Sequence, residues 1–261
     1  MIDVSIITVG MNHIRFIKEL YRTLFDEHPP RVSVEAIYVD NCSKDDSVAW
    51  LRENYPNVQI IQNEEPKGFG ENNNIGVRAS SGKYVAIINP DIEFLDDAID
   101  RLYQYAENNK DAIGILAPKL LNPDRTIQYS ARNFITLRSF FYRALARGND
   151  KFSAGNYLCK DLDTDAVRPV NWVIGAVMFM SREHYDRLGG FDTDYFLYME
   201  DEDMCLRTWK MGKQVIYCGN IPVVHNHMRG SKKIGRMMFI HFQSLFTFFR
   251  KHGLNVKNQV N

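Results

Sequence analysis

Four short apolar runs, at residues 4–9, 36–39, 58–61 and 84–88, recur through the first third of the chain. Between them lie segments whose apolar residues fall at helical spacing. Ile14, Ile17, Leu20, Tyr21 and Leu24 make one such face, closed by Pro29-Pro30. Ser43 is placed to cap a second helix through Trp50 and Leu51, which Pro56 ends, and the segment from Gly68 to Gly76 opens a third. Leu95, Ala98, Ile99, Leu102 and Ala106 form a fourth. Runs without polar alternation are strands buried on both faces. Four strand–helix units in succession demand an open, mostly parallel α/β sheet. In such sheets ligands bind beyond the carboxyl ends of the strands. That rule selects residues 8–10, 40–43, 63–70 and 89–93, each a polar stretch directly after an apolar run.

The second half is less regular. Residues 113–121 read as one strand or two, 137–145 as a helix, and 148–165 as a polar loop suited to a lid. Residues 172–180 read as a strand broken at Gly175-Ala176, and 215–217 and 223–224 as short strands. Composition removes several classes. The 32 Lys and Arg balance 32 Asp and Glu, so nothing favours a nucleic-acid partner. No uninterrupted apolar stretch reaches about 18 residues, and Met1-Ile2-Asp3 opens without a signal peptide's basic start. Cys42, Cys159, Cys205 and Cys218 lack disulfide-framework or zinc spacing and read as reduced thiols, so a cytoplasmic protein is expected.

Three clusters carry chemistry. In Asn89-Pro90-Asp91-Ile92-Glu93, period-two geometry turns Asp91 and Glu93 to one side, where they can hold a divalent cation or serve as the acidic start of a helix. Glu200-Asp201-Glu202-Asp203 offers a general base at Asp201 or Asp203, or a solvated first helical turn, the reading preferred for Glu202. His225 and His227 alternate in a strand and face one way, as metal ligands or structural residues, with Arg229, Lys232 and Lys233 near enough to suit a phosphate. The run Gly68-Phe69-Gly70-Glu71-Asn72-Asn73-Asn74-Ile75-Gly76 departs from both the dinucleotide and the P-loop fingerprints.

Taken in order, the segments resemble a family-two glycosyltransferase of the glycosyltransferase-A type fold, in its rhamnosyltransferase-like branch. The carriers are the first strand, Val39-Asp40-Asn41-Cys42-Ser43 with Asp46-Ser47, the 68–76 run, and Gly82-Lys83-Tyr84 leading to Asn89-Pro90-Asp91. Gly175-Ala176 with Arg182, then Gly189-Gly190-Phe191-Asp192, Phe196, the four acids and Arg207, complete the set across about residues 3–231. The resemblance implies one domain over 1–231, with a nucleotide-sugar half to about 115 and an acceptor half beyond it, followed by a C-terminal helix over 232–261. It implies a donor pocket of Thr8, Gly10, Asp40, Gly68, Asn73 and Asn89, with Asp40 reading a pyrimidine base. It implies a metal, Mg²⁺ or Mn²⁺, on Asp91 and His225, with His227 competing for the match and Glu93 standing where relatives carry Asp or another residue. Asp201 becomes the catalytic base, and Trp172, Gly175, Ala176 and Glu200 the acceptor side.

The implied activity is inverting, metal-dependent transfer of a hexose or deoxyhexose from a UDP- or dTDP-type sugar. The acceptor is a hydroxyl of a saccharide or lipid-linked molecule in cell-surface polysaccharide synthesis. The rivals are a nucleotidyltransferase, disfavoured because residues 9–13 lack its Gly-rich basic loop, and a binding module with decayed catalysis. The C-terminal apolar helix, with Phe239, Phe242, Leu245, Phe246 and Phe249 between basic ends, suits core cover, a homodimer, or peripheral contact with the inner membrane face.

Overall fold

A computed structural model of the chain describes residues 1–140, 155–160, 162–226 and 235–260. The strand–helix units begin with β1 (Val4–Gly10) and α1 (Ile14–Tyr21), which runs on into a π-helical turn, Arg22–Glu27. They continue with β2 (Val34–Asp40), α2 (Ser47–Asn54), β3 (Gln59–Gln62), α3 (Phe69–Arg78) and β4 (Tyr84–Ile88). These four strands lie in the order β3-β2-β1-β4, all parallel. Strand period splits their side chains between two cores. Val4, Ile6, Tyr38, Ala86 and Ile88 enter one layer, and Ile7, Ile37, Val39, Val85 and Ile87 the other.

The chain continues with β5 (Ile92–Phe94), α4 (Ala98–Asn108), β6 (Ile113–Leu121), β7 (Ile127–Gln128), β8 (Ala131–Arg132) and α5 (Gly155–Leu158). After these come β9 (Val167–Pro169), β10 (Trp172–Val173), β11 (Val177–Ser181), α6 (Arg182–Leu188), α7 (Glu200–Lys210), β12 (Gln214–His225) and α8 (Arg236–His252). The sheet extends as β4-β11-β6-β12-β5, with β11 antiparallel to both neighbours. β8 and β10 form a separate antiparallel pair.

Local chemistry changes several expected boundaries. Ser43 does not cap α2. Its hydroxyl accepts the Asn12 N–H at 2.9 Å, while Asp45 accepts both the Ser47 N–H and the Ile14 N–H at the start of α1. The short strands expected at 215–217 and 223–224 are one strand, β12, whose register slips between Cys218 and Pro222. A proline donates no ladder hydrogen bond, so the slip falls where pairing is already broken. The expected 172–180 strand divides at Gly175-Ala176 into β10 and β11, which belong to different sheets. The expected helix at 137–145 is helical over 137–140, and its remainder, with residues 148–154 and 161 of the expected 148–165 loop, lies outside the described residues, while Gly155–Leu158 within that loop is helical. Among the described residues no helix is long and apolar enough to cross a membrane. All four cysteines are free.

Candidate active site

The parallel strands bring three polar stretches to one edge. Gly10 lies opposite Asp40 in the β1–β2 ladder, and Asn89 and Asp91 leave the end of β4 beside them. Gly10 has no room for a side chain, because a Cβ there would fall 2.2 Å from the Tyr38 hydroxyl. Thr8 and Asp40 are buried at 1% and 2% exposure, yet Thr8 Oγ1 and Asp40 Oδ1 have no hydrogen-bond partner among the described residues. Buried polar atoms are normally paired, so this edge is built to meet a ligand's donors or acceptors. The other Asp40 oxygen accepts the Ser43 N–H at 3.2 Å. Asn89 is half-buried, and its N–H donates to the Ala176 carbonyl.

The three asparagines of α3 have separate tasks. Asn72 donates to the Lys67 and Gly68 carbonyls, and Asn73 to the Phe69 carbonyl at 3.0 Å, so both amides serve the helix start below the donor edge. Asn74 binds across the fold. It donates to the Phe191 carbonyl and accepts from the Phe191 N–H and the Tyr185 hydroxyl. Gly190 permits this approach, with φ +74° and a Cβ position only 2.5 Å from Asn74 Oδ1. Gly68 fits against Phe196, whose carbonyl accepts the Phe69 N–H.

Antiparallel pairing of β5 with β12 sets His225 opposite Ile92 and therefore beside Asp91. His225 Nε2 lies 3.4 Å from Asp91 Oδ1, and Nδ1 lies 2.6 Å from Gln128 Oε1. Burial works against the charged Asp91 carboxylate. The His225 ring and, more weakly, His13 outweigh it and hold the carboxyl below its usual range. His13 is itself shifted down by burial, against the pull of Asp91 and Asp45. Because Gln128 Oε1 only accepts, Nδ1 carries a proton, and Nε2 is the ring nitrogen that meets the Asp91 carboxylate. Two acceptors facing each other are stable only with a proton or a cation between them, so a carboxylate–imidazole donor pair suited to a divalent ion is present. No group of three or more candidate ligands gathers among the described residues. His227, Arg229, Lys232 and Lys233 lie outside them. Glu93 turns aside to accept the Asn226 amide.

A cavity of about 480 Å³ joins His225 to the acidic turn. His225, Gln128, Arg132, Trp172, Glu200 and Asp201 all line it. Tyr198 and Met199, both left-handed at φ 72° and 70°, lead into α7 and set the direction of its first turn. From that turn the four acids diverge. Asp201 Oδ2 accepts the Gly175 N–H at 2.9 Å, and Oδ1 accepts the Glu202 N–H at 2.8 Å. Burial raises the Asp201 carboxyl above its ordinary range, opposed by those two N–H groups and the Arg132 charge. Glu200 is raised well above its usual value, first by burial and then by Asp201, and its Oε2 has no partner among the described residues. Glu202 accepts the Ile135 N–H at 2.6 Å and also lines the cavity, whereas Asp203 binds Arg207 and His252 and serves the scaffold.

Trp172 lines the cavity, and its indole N–H donates to the Asn133 carbonyl. Gly175 contributes its N–H to Asp201, whereas Ala176 is fully buried in the core, away from the cavity lining. Residues outside the sequence expectation also gather here. The Arg132 guanidinium lies over the Trp172 ring at 5.2 Å and the Tyr157 ring at 5.7 Å, and His241 of α8 meets Tyr198 at 5.0 Å. The one signal in the sequence was Gln128-Tyr129-Ser130-Ala131-Arg132, with polar residues at alternate positions.

Comparison with known proteins comes to the same place. The family model described as glycosyl transferase family 2 matches residues 5–159, and one described as the N-terminal domain of galactosyltransferase matches 162–229. The N-acetylglucosaminyl-diphospho-decaprenol L-rhamnosyltransferase of Mycobacterium tuberculosis is 28% identical over 256 residues, covering 90% of this chain and 78% of the relative. Rhamnosyltransferase WbbL of Escherichia coli K12 is 28% identical over 267 residues, covering 98% and 96%. Among solved structures, GalNAc-T7 with UDP, GalNAc and Mn²⁺ superposes with a TM-score of 0.70 at 14% identity, over 96% of this chain and 48% of that one. The mannosyltransferase PcManGT of Pyrobaculum calidifontis, in complex with GDP-Man and Mn²⁺, gives 0.65 at 19%, over 98% and 65%. The chain thus spans about half to two-thirds of these structures, and they share its glycosyltransferase-A type fold.

Proposed function

The chain belongs to glycosyl transferase family 2 and is a glycosyltransferase; from that premise we propose which transfer it performs. It moves a hexose or deoxyhexose, with inversion, from a UDP- or dTDP-type sugar to a hydroxyl of a saccharide or lipid-linked acceptor in cell-surface polysaccharide synthesis. The observation that carries this reading is Asp201, a buried carboxylate with a raised pKa, fixed by two backbone N–H groups in the lining of a cavity that His225, the neighbour of Asp91, also lines. A general base works best with a pKa moved toward the operating pH. Asp201 takes the proton of the acceptor hydroxyl as that oxygen attacks the anomeric carbon. The bond from that carbon to the diphosphate oxygen breaks on the opposite face, and its electron pair leaves with the nucleotide. Glu200, next to the base, holds the acceptor through Oε2, and Trp172 closes the wall behind it.

Thr8 Oγ1 and Asp40 Oδ1 are the open positions on the donor side, and an Asp40 carboxylate suits the imide N–H of a pyrimidine. Asp91 and His225 would hold a Mg²⁺ or Mn²⁺ ion, which supplies charge neutralisation for the departing diphosphate when bound. The names of both rhamnosyltransferase relatives support a deoxyhexose, and that of the mycobacterial one a lipid-linked acceptor. Such an acceptor would be met at a bilayer surface. On α8, Leu245 and Phe248 are buried, while Met238, Phe239, Phe242 and Phe246 project outward at 47–70% exposure. This row lies on the helix that sends His241 into the cavity, which suits interfacial contact.

The test is a thermal-shift screen of nucleoside diphosphates with and without Mn²⁺, on wild type and Asp91→Ala. Ligand binding raises apparent stability by mass action. A Mn²⁺-dependent shift with UDP or dTDP, lost in Asp91→Ala, is expected. No shift with any nucleotide would favour a binding module without transfer activity.

A further inference from the structure

We propose that Gln128 is the positioning residue that makes His225 a metal ligand. This inference rests on the reading that Asp91 and His225 hold the ion.

A histidine can present either ring nitrogen, and which one is free depends on what the other nitrogen binds. Gln128 has the same ambiguity, because its amide can turn either atom toward the ring. A hydrogen-bond chain resolves both. Asn122 Oδ1 accepts the Gln128 Nε2 amide at 3.3 Å, and a carbonyl oxygen can only accept. Gln128 Oε1 is therefore the atom facing His225 Nδ1 at 2.6 Å, and Nδ1 must carry the ring proton. Nε2 is the nitrogen left for the ion, 3.4 Å from Asp91 Oδ1. Two ligands of one ion bound at about 2.1 Å stand roughly 3 Å apart across adjacent coordination positions, close to this spacing.

Backbone structure keeps the chain in register. Gln128 pairs with Leu120 across the β6–β7 hairpin. Its turn is closed by Asn122 and Thr126, with backbone bonds to Thr126 and from Arg125, and an Asn122 amide bond to the Thr126 hydroxyl. The turn thus orients Asn122, which orients Gln128, which selects the His225 tautomer. Groups of this outer kind typically change metal affinity ten- to a hundred-fold when removed.

The test uses the full chain and Mn²⁺ alone, with free ion counted by electron paramagnetic resonance. Gln128→Met keeps the length of the side chain and removes the acceptor. It should weaken Mn²⁺ binding about ten- to a hundred-fold with a thermal midpoint close to wild type. Gln128→Glu restores an acceptor and should bind at least as tightly as wild type. Nitrogen-15 spectra in an Asp91→Asn background, where no carboxylate holds a second proton on the ring, supply a readout independent of the ion. The His225 signal, assigned by its loss in His225→Gln, should show the Nδ1–H tautomer with Gln128 in place and move toward Nε2–H in Gln128→Met. Unchanged Mn²⁺ affinity in Gln128→Met, alongside lost binding in His225→Ala, overturns the inference while the metal reading stands, as does weakened binding in Gln128→Glu. Unchanged binding in both His225→Ala and Asp91→Ala removes the metal reading, and this inference falls with it.

Discussion

His252, at the end of the last helix, donates from Nε2 to Asp203 Oδ1 at 2.7 Å, and thereby ties α8 to the helix that carries Asp201. Lys210 Nζ lies 2.9 Å from the other ring nitrogen. Arg207 holds the second Asp203 oxygen at 2.7 Å.

Loss of this contact should be felt in stability. His252→Ala is expected to cost about 1–3 kcal/mol, because Arg207 still partners the buried carboxylate. Urea unfolding measures it. Burial opposes the Asp203 charge, but His252 and Arg207 outweigh it and lower the folded pKa. Its contribution is therefore present above the ordinary aspartate value and lost as pH falls through the lower folded one. The variant's stability should fall off less steeply across that acidic window.

Asp201→Asn should reduce kcat by about 10²–10⁴ while leaving the nucleotide-induced thermal shift in place. Retained activity would remove Asp201 from the role of base.

The pH profile offers a second check on the same group. With its folded pKa raised, Asp201 ionises above the ordinary aspartate value, so the acidic limb of kcat/KM should lie above about pH 4. Arg132 pulls that pKa down, so Arg132→Leu should move the limb to higher pH. A limb that stays in place would show that the Arg132 charge does not reach the base.

The same shifts act on stability with the opposite sign from Asp203. Folded-state pKa values raised at Glu200 and Asp201 stabilise the fold below the ordinary carboxylate values, and this is lost as pH rises through the raised values. Glu200→Gln should therefore raise the thermal midpoint near neutral pH, by a few degrees, while lowering activity. Scanning calorimetry at two pH values tests both the sign and its pH dependence.

Outward apolar residues on α8 can be tested separately from chemistry. Phe242→Asp with Phe246→Asp should reduce co-sedimentation with anionic vesicles several-fold, with unchanged nucleotide binding. Equal sedimentation of variant and wild type would remove the interfacial reading.

The parallel half of the fold could be read from the chain because β1, β2 and β4 are mostly buried, so each shows an apolar run that ends in polar residues at its carboxyl end. Residues 4–10, 34–40 and 84–88 match the expected strands to within about two residues. Asp91 and His225 were both singled out, but their meeting depends on β5 pairing with β12 across more than a hundred residues. No local pattern encodes that pairing. Gln128 and Arg132 stand in β7 and β8, two residues each, so the alternation of polar residues from 128 to 132 is too brief to mark a strand. The division of the four acids was also hidden. Helical position assigns them to different sides, and only the neighbours decide which binds Gly175, which binds Ile135 and which holds the last helix.

That division carries a constraint on how this chain can change over generations. Successive residues of an α-helix are rotated by about 100°. One residue gained or lost between Tyr198 and Glu200 would turn each acid toward its neighbour's partner. With one residue gained, Asp201 would take the place of Glu202 and face Ile135, and Glu202 would take the place of Asp203 and face His252. Exchange of side chains along this turn can be absorbed one position at a time, but a change in its length would strike three jobs at once. Natural variants of this segment should therefore differ in composition while keeping the count of residues from Gly190 to Asp203 unchanged.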